Sequence, residues 1–164
     1  MTDFPMFKTP RCTLNRITDE DIPVMRQIFD DNLTRKFLPE LMPLVRTNNG
    51  IQMILSAFDS YLAQNEGAIW GIRLGSILIG FVAFMDLSFN PTIFFATHPR
   101  YRMKGYMKES IVHTIRFILD HSFCKFIQTE VYTNNTTSIN LLKSIGFMTM
   151  KQDEEKTYLH LNNQ

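Results

Sequence analysis

The chain has 164 residues, of which 45% are hydrophobic and 14 are Phe, and its formal net charge is +1. This length fits one domain spanning residues 1–164, with enough apolar side chains for one sizeable core. The near-neutral charge argues against nucleic acid as a partner, because such binding needs a broad positive face.

The first part of the chain predicts one strand and two helices. Residues 11–17 alternate loosely as a strand, and Thr18 with an acid three positions on resembles the capping box of a helix start. Apolar residues then repeat at helical spacing from Ile22 to about Leu33, and the segment 37–43 breaks the helix with two prolines. A second helix follows, and its apolar face is Ile51, Ile54, Leu55, Phe58 and Leu62.

The rest of the chain alternates strands with helices. Residues 68–74 and 77–85 predict a hairpin, and 92–97 predict a short strand. The remaining elements are a helix from near Lys104, a strand at 126–132, a helix at 135–145 and one or two strands ending near Leu161. The order β-α-α-β-β-β-α-β-α-β-β predicts an α/β (α+β) fold, with a mixed sheet covered by helices.

Several other classes of protein are not supported. The longest apolar runs fall well short of the roughly 20 residues of a membrane-spanning helix, so no membrane partner is expected. Residues 1–5 do not resemble a signal peptide, which makes the cytoplasm the expected location. Cys12 and Cys124 lack the spacing of a zinc site and are expected to be buried thiols. The four His residues have no partners at metal-ligand spacing, so no metal is predicted.

The segment from His98 to Lys108 carries the strongest functional signal. It joins a short apolar strand to a long amphipathic helix and contains four cationic residues and no acid. The start of a helix presents unpaired backbone N–H groups, and Gly105 lacks the Cβ that would block a close approach. This loop is therefore suited to bind a diphosphate.

Three stretches of the chain resemble the GNAT superfamily of N-acetyltransferases. Residues 102–107 resemble its R/Q-x-x-G-x-G/A motif, whose amides hold the pyrophosphate of acetyl-CoA. Residues 135–138 and 141–147 resemble the N-x-x-S and L-x-x-x-GF signature that follows, especially in the branch that acetylates the N-termini of ribosomal proteins. The opening, residues 9–22, also resembles that branch. The resemblance implies a GNAT-like fold, with a mainly antiparallel, twisted sheet flanked by helices.

The resemblance also implies a function and a set of binding residues. The protein would transfer the acetyl group of acetyl-CoA, its co-substrate, directly to a primary amine of a protein N-terminus or a small molecule, acting as a monomer or a homodimer. Three groups of residues would contact acetyl-CoA: Phe95, Ala96 and Thr97 along the pantetheine arm, Arg102, Met103, Lys104, Gly105, Tyr106 and Met107 around the pyrophosphate, and Asn135 and Ser138 at the thioester.

The chain departs from the family pattern at the reacting groups. The Tyr that many relatives use as general acid is Leu142 here, which leaves Ser138 as the candidate to assist the departing thiolate. The strand at 92–97 lacks the carboxylate that the ribosomal branch places at its start. Candidates for the general base are His98, Glu130 and Glu40, and a base acting through ordered water is a further possibility.

Two further expectations concern Met107 and Gly105. Met107 replaces the last small residue of the motif, so its side chain must point away from the phosphates. Together with the missing acid and base, it motivates an alternative function, a non-catalytic acyl-CoA-binding module. Gly105→Val is expected to abolish CoA binding and leave the fold largely intact, provided that Gly105 does not need a positive φ.

Overall fold

The computed structural model describes residues 4–164, which include an eight-stranded sheet in the order β1-β2-β3-β4-β5-β6-β8-β7. Neighbouring strands are antiparallel except for β5 and β6, which are parallel. The predicted α/β fold with a mixed, mainly antiparallel sheet is confirmed. The strands are β1 Phe7–Lys8, β2 Thr13–Asn15, β3 Gly67–Leu74, β4 Ile77–Met85, β5 Thr92–Thr97, β6 Phe126–Tyr132, β7 Met148–Gln152 and β8 Lys156–Asn162.

Five α-helices connect these strands: α1 Ile22–Asp30, α2 Asn32–Phe37, α3 Asn48–Ala63, α4 Tyr106–Asp120 and α5 Thr136–Ile145. The single helix predicted from Ile22 to about Leu33 is wrong, because Asp31 interrupts it with an extended ψ of 138°. The carboxylate of Asp31 accepts the N–H groups of Leu33 and Thr34, both at 3.1 Å. Asp31 therefore starts a second short helix, as an N-cap residue does.

Helices cover the sheet on both faces, and side chains alternate between two cores. We call the side covered by α4 and α5 the α4 face, and its buried residues include Trp70, Val82 and Ile93. We call the side covered by α1 and α3 the α3 face, and its buried residues include Ile69 and Phe81. Successive residues of a strand point to opposite faces, so a strand buried on both sides is apolar throughout. This explains the continuous apolar runs of β3 and β4.

An ion pair joins the entry of α1 to the sheet. Arg73 on β3 donates to both carboxylate oxygens of Asp21, at 2.9 and 2.7 Å, and the two side chains are only 13% and 12% exposed. Asp21 also accepts the N–H of Thr18 at 2.8 Å, as the capping pattern of the sequence predicted. Burial alone would raise the pKa of Asp21, but these hydrogen bonds outweigh it and hold the pKa below its ordinary value.

We expect Asp21→Asn to lower the free energy of unfolding at pH 7 by about 2 kcal/mol, because it leaves Arg73 largely buried without its counter-charge. A carboxylate with a lowered folded pKa stabilises the protein above its unfolded pKa and loses that contribution as the pH falls. The difference between wild type and variant should therefore narrow below about pH 4. Urea denaturation between pH 3 and 7 measures it. The control is Asp59→Asn, which breaks the exposed pair with Arg16 and should lower the free energy of unfolding by less than about 1 kcal/mol. An equal decrease in both variants would contradict the expectation.

Candidate active site

The sheet splits between β5 and β6. The register of this parallel pair joins Thr92 to Gln128, and one step further the Thr129 hydroxyl donates to the Ile93 carbonyl at 2.9 Å. Beyond that point the two strands diverge around a cavity of about 520 Å³. Its lining includes the ends of β5 and β6, the loop before α4, the start of α5 and one side of α2. The split therefore makes a cleft in the middle of the sheet.

The backbone of β5 presents polar groups to this cleft. The N–H of His98 donates to the Ile79 carbonyl of β4 at 2.8 Å. Because hydrogen bonding alternates along an antiparallel strand, Ala96 also faces β4, whereas Phe95 and Thr97 face the opposite way. The backbone of Ile93 faces the same way as that of Phe95 and Thr97, and its carbonyl accepts from the Thr129 hydroxyl on β6. The N–H and C=O groups of Phe95 and Thr97 therefore point into the cleft, which suits an amide-containing ligand lying along β5.

The loop before α4 has the backbone conformation of an anion-binding turn. Met103 and Gly105 both have positive φ, at 61° and 83°. The N–H of Glu109 makes the first intrahelical bond of α4, to the Gly105 carbonyl at 3.1 Å, so the N–H groups of Tyr106, Met107 and Lys108 have no intrahelical acceptor. These amides lie at the positive end of a 15-residue helix, beside the cavity. The arrangement fits the diphosphate predicted from the sequence.

The conformation of Gly105 corrects one expectation. Its positive φ favours glycine, so a substitution there strains the loop as well as filling the phosphate's approach. A Cβ at this position would also lie 3.0 Å from Nη2 of Arg11. The expectation that Gly105→Val leaves the fold largely intact rested on an ordinary φ, and that condition is not met.

Arg11 and Glu109 brace the loop from outside, a contact that the sequence analysis missed. Nη1 of Arg11 donates to the Lys104 carbonyl at 2.9 Å, and its guanidinium lies 4.5 Å from the ring centre of Tyr106. Glu109, one turn into α4, accepts from the backbone N–H and Nε of Arg11 and from the hydroxyl of Thr9. Burial would raise the pKa of Glu109, but these hydrogen bonds hold it below its ordinary value. The carboxylate therefore stays charged and keeps the N-terminal segment fixed against the loop.

Met107 occupies the core and leaves the loop free. Its side chain is buried on the α4 face, and its Cε lies 3.4 Å from the place that a Cβ on Gly80 would take. The glycine on β4 thus provides the space for the methionine. The residue that departs from the family motif points away from the helix start, as its bulk requires, and its N–H remains available there.

Arg102 does not point its charge at the helix start. Its Nη2 contacts the Asp31 carboxylate at 2.5 Å and the Thr34 hydroxyl at 3.4 Å. Burial would raise the pKa of Asp31, but Arg102 and the capped N–H groups of α2 hold it below its ordinary value. The first residue of the motif therefore ties the loop to α2. No local sequence pattern predicts this pair, since its members are 71 positions apart.

The other end of the cavity is formed by the start of α5. Asn135 caps the helix by accepting the N–H of Ser138 at 3.4 Å, and both residues line the cavity with their neighbours Thr136 and Thr137. Asn135, and not Ser138, supplies the side chain that caps the helix. Leu142, in the place of the family's general acid, is fully buried in the core.

The structure separates the three candidate bases. Glu130 lines the cavity, and Nζ of Lys156 lies 3.3 Å from its carboxylate. Glu40 is outside the lining but shares the same lysine, at 3.4 Å. His98 is buried outside the lining, and both its ring nitrogens are engaged, Nδ1 by the N–H of Arg100 at 3.2 Å and Nε2 by Oε1 of Gln27 at 2.8 Å. Among the described residues, Glu130 is thus the one carboxylate that lines the cavity.

Residues 4–164 contain neither a metal-binding cluster nor a membrane-spanning helix. No cluster of three or more His, Cys, Asp or Glu residues in this part of the chain could hold a metal ion. None of its helices is both long and apolar enough to cross a membrane. Cys12 and Cys124 are free, buried thiols, as the sequence predicted.

Comparison with known proteins identifies the class as acetyltransferases. Residues 11–148 match the family model described as acetyltransferase (GNAT) domain, and the chain belongs to this family. The chain is 28% identical over 165 residues to the uncharacterized N-acetyltransferase YoaA of Bacillus subtilis strain 168. The alignment covers 97% of this chain and 90% of the relative.

Solved structures show the same fold. A ribosomal-protein-S5-alanine acetyltransferase from Vibrio fischeri superimposes with a TM-score of 0.79 at 15% identity, covering 98% of this chain and 97% of that one. RimL, a ribosomal L7/L12 alpha-N-protein acetyltransferase solved in complex with coenzyme A, superimposes with a TM-score of 0.78 at 12% identity, covering 96% and 98%. The resemblance to the ribosomal-protein acetyltransferases, inferred from sequence motifs, is confirmed at the level of the fold.

His98→Ala should lower the free energy of unfolding by about 1–2 kcal/mol, because it removes two hydrogen bonds and some buried ring surface. Burial, with the nearby charges of Arg100 and Arg102, lowers the pKa of His98. A neutral buried histidine destabilises the fold as the pH falls below its unfolded pKa of about 6.5, so the difference between wild type and variant should narrow between pH 7 and pH 5. Thermal denaturation across this range measures it. Loss of one limb of the pH–rate profile in the variant would instead place His98 among the reacting groups.

Proposed function

We propose that this acetyltransferase transfers the acetyl group of acetyl-CoA directly to a primary amine. The observation that carries the proposal is the split between β5 and β6, which opens beside the amide-rich start of α4. Such a cleft suits a long ligand with a diphosphate at one end and amides in its middle. CoA has both features.

The described residues fit CoA in two places. The N–H groups of residues 106–108 and the turn at Met103 and Gly105 would hold the pyrophosphate, since they face the cavity at the positive end of α4. The backbone groups of Phe95 and Thr97 would pair with the pantetheine amides, as an added strand pairs with a sheet edge. Side chains of Lys104 and Lys108 add positive charge at the exposed rim. The CoA complex of RimL, which shares the fold, supports this assignment.

The residues beyond the pantetheine arm supply the chemistry of transfer. A backbone N–H of β5 would stabilise the oxyanion that forms as the amine attacks the thioester carbonyl. The hydroxyl of Ser138, at the far end of the cavity, would donate to the departing thiolate. Glu130 would take a proton from the ammonium group of the acceptor, directly or through one water molecule, so that the neutral amine can attack the thioester. Its contact with Lys156 keeps the carboxylate in place until a cationic amine replaces that partner.

The acceptor would be a protein N-terminus or a small-molecule amine. Glu130 provides negative charge for the ammonium group, and Leu33, Phe37 and Leu38 of the α2 segment provide an apolar wall beside it. This combination fits a single amine attached to an apolar group better than a polycation, which would need several carboxylates. The ribosomal-protein acetyltransferases among the similar structures support the choice of an N-terminal amine as the first acceptor to test.

Isothermal titration with acetyl-CoA tests the binding half of the proposal. The wild type should bind saturably and prefer acetyl-CoA to ATP, whereas Gly105→Ala should bind at least about tenfold more weakly, since a side chain at positive φ displaces the loop amides. Gly75→Ala is the matched control, because Gly75 also has a positive φ, 57°, but lies in the β3–β4 turn with open space around it. Both variants should lose stability through the positive φ, and only Gly105→Ala should lose affinity for acetyl-CoA. Equal affinities would show that the loop does not bind the phosphates.

Turnover on a panel of primary amines, including short peptides with free N-termini, tests the chemical half. Glu130→Gln should lower kcat/KM about 100-fold at pH 7 and leave acetyl-CoA binding unchanged, because the variant loses the base. Glu40→Gln is the control: it also removes a contact of Lys156 but leaves the cavity carboxylate in place. Similar rates in both variants would assign the base to water. Binding without turnover on any amine would favour the non-catalytic acyl-CoA-binding module.

A further inference from the structure

A second, smaller void lies behind the cavity wall on the α3 face. It measures about 20 Å³ and is lined entirely by apolar side chains of α1, α3 and the sheet, together with Leu41. A space of this size could hold about one water molecule, but the lining offers no polar partner, so the void is expected to stay dry.

Phe94 separates the void from the cavity. Among the residues that the structure describes, it is the one that lines both spaces. Its ring packs on the α3 face against Phe58 and Phe81, with ring centres 6.3 and 6.2 Å away. The aromatic ring is therefore the partition between the open cleft and the apolar space.

The geometry of the split points the acyl end of the co-substrate at this ring. The start of α4 lies on the α4 face, since Met107 and Ile111 pack in that core. Phe94 lies on the other face and immediately precedes Phe95, whose backbone faces the cleft. A thioester arm that enters from the α4 side and runs along β5 thus emerges toward Phe94. Side chains alternate along β6, and Ile127 is buried on the α4 face. Glu130 therefore points to the α3 face, as Phe94 does.

We propose that Phe94 sets the length of the acyl chain, restricting the site to short chains such as acetyl, and that the apolar void behind it is a latent acyl-chain pocket. This inference rests on the proposed function. In the wild type the ring blocks the path from the thioester to the void. Removing the ring joins the two spaces and provides an apolar channel for a longer chain.

The test compares affinities for acetyl-CoA and butyryl-CoA by isothermal titration. In Phe94→Ala the affinity for butyryl-CoA relative to acetyl-CoA should rise about tenfold over the wild-type ratio, because burying the two additional methylene groups in apolar space is worth about that factor. Phe94→Leu should raise this affinity ratio by a smaller factor, and it serves as the test variant if Phe94→Ala does not fold. Leu55→Ala is the matched control, since Leu55 lines the void but not the cavity, and it should leave the ratio unchanged.

Each result has one interpretation. An unchanged ratio in a folded Phe94 variant, or an equal rise in Leu55→Ala, overturns the inference, because the ring would then not be the partition. Saturable binding of acetyl-CoA by the wild type with an unchanged ratio in the variants leaves the proposed function standing and removes only the role of Phe94. Failure of the wild type to bind any acyl-CoA removes the proposed function, and the inference with it.

Discussion

The divergence of β5 from β6 is the constraint on which the rest of the structure depends. A parallel pair of strands satisfies its backbone groups only while the strands run side by side. Here the pairing stops at Ile93 and Thr129, so Phe95 and Thr97 carry polar backbone groups into a gap in the middle of the sheet. Buried backbone groups need partners. Water or a ligand with amides of its own can supply them, and the proposed CoA would do so with its pantetheine arm.

Side chains far apart in sequence hold the gap open in a fixed shape. Glu109 and Arg11 fix the turn before α4 from the N-terminal side. Arg102 and Asp31 fix it from the side of α2. Each carboxylate is held in its charged form by its hydrogen bonds despite burial, as the lowered pKa values show. These two ion pairs therefore hold the loop before α4 from both sides.

Local patterns in the sequence predicted the elements, and long-range contacts decided the parts that they missed. The strand at 126–132 was predicted to the residue, because its apolar and β-branched side chains lie between clear breaks. The helix from Ile22 to about Leu33 was predicted as one helix, because its apolar spacing does not reveal that Asp31 caps a second helix. Met107 was predicted to point away from the phosphates, but the space for it depends on Gly80, which lies on another strand. Arg102 was assigned to the pyrophosphate by its motif, and only its spatial neighbour Asp31 shows where the charge is used.

The Asp31 carboxylate connects two elements that lie on opposite sides of the cleft. The same oxygen caps α2, which lines one side of the cavity with apolar residues, and binds Arg102, which belongs to the turn before α4. Any ligand that draws Arg102 away also changes the anchor of α2. In the proposed ternary complex, a CoA pyrophosphate that drew Arg102 away would change the affinity for the acceptor, and by linkage the acceptor would change the affinity for CoA by the same factor. Such coupling would need no movement of the sheet.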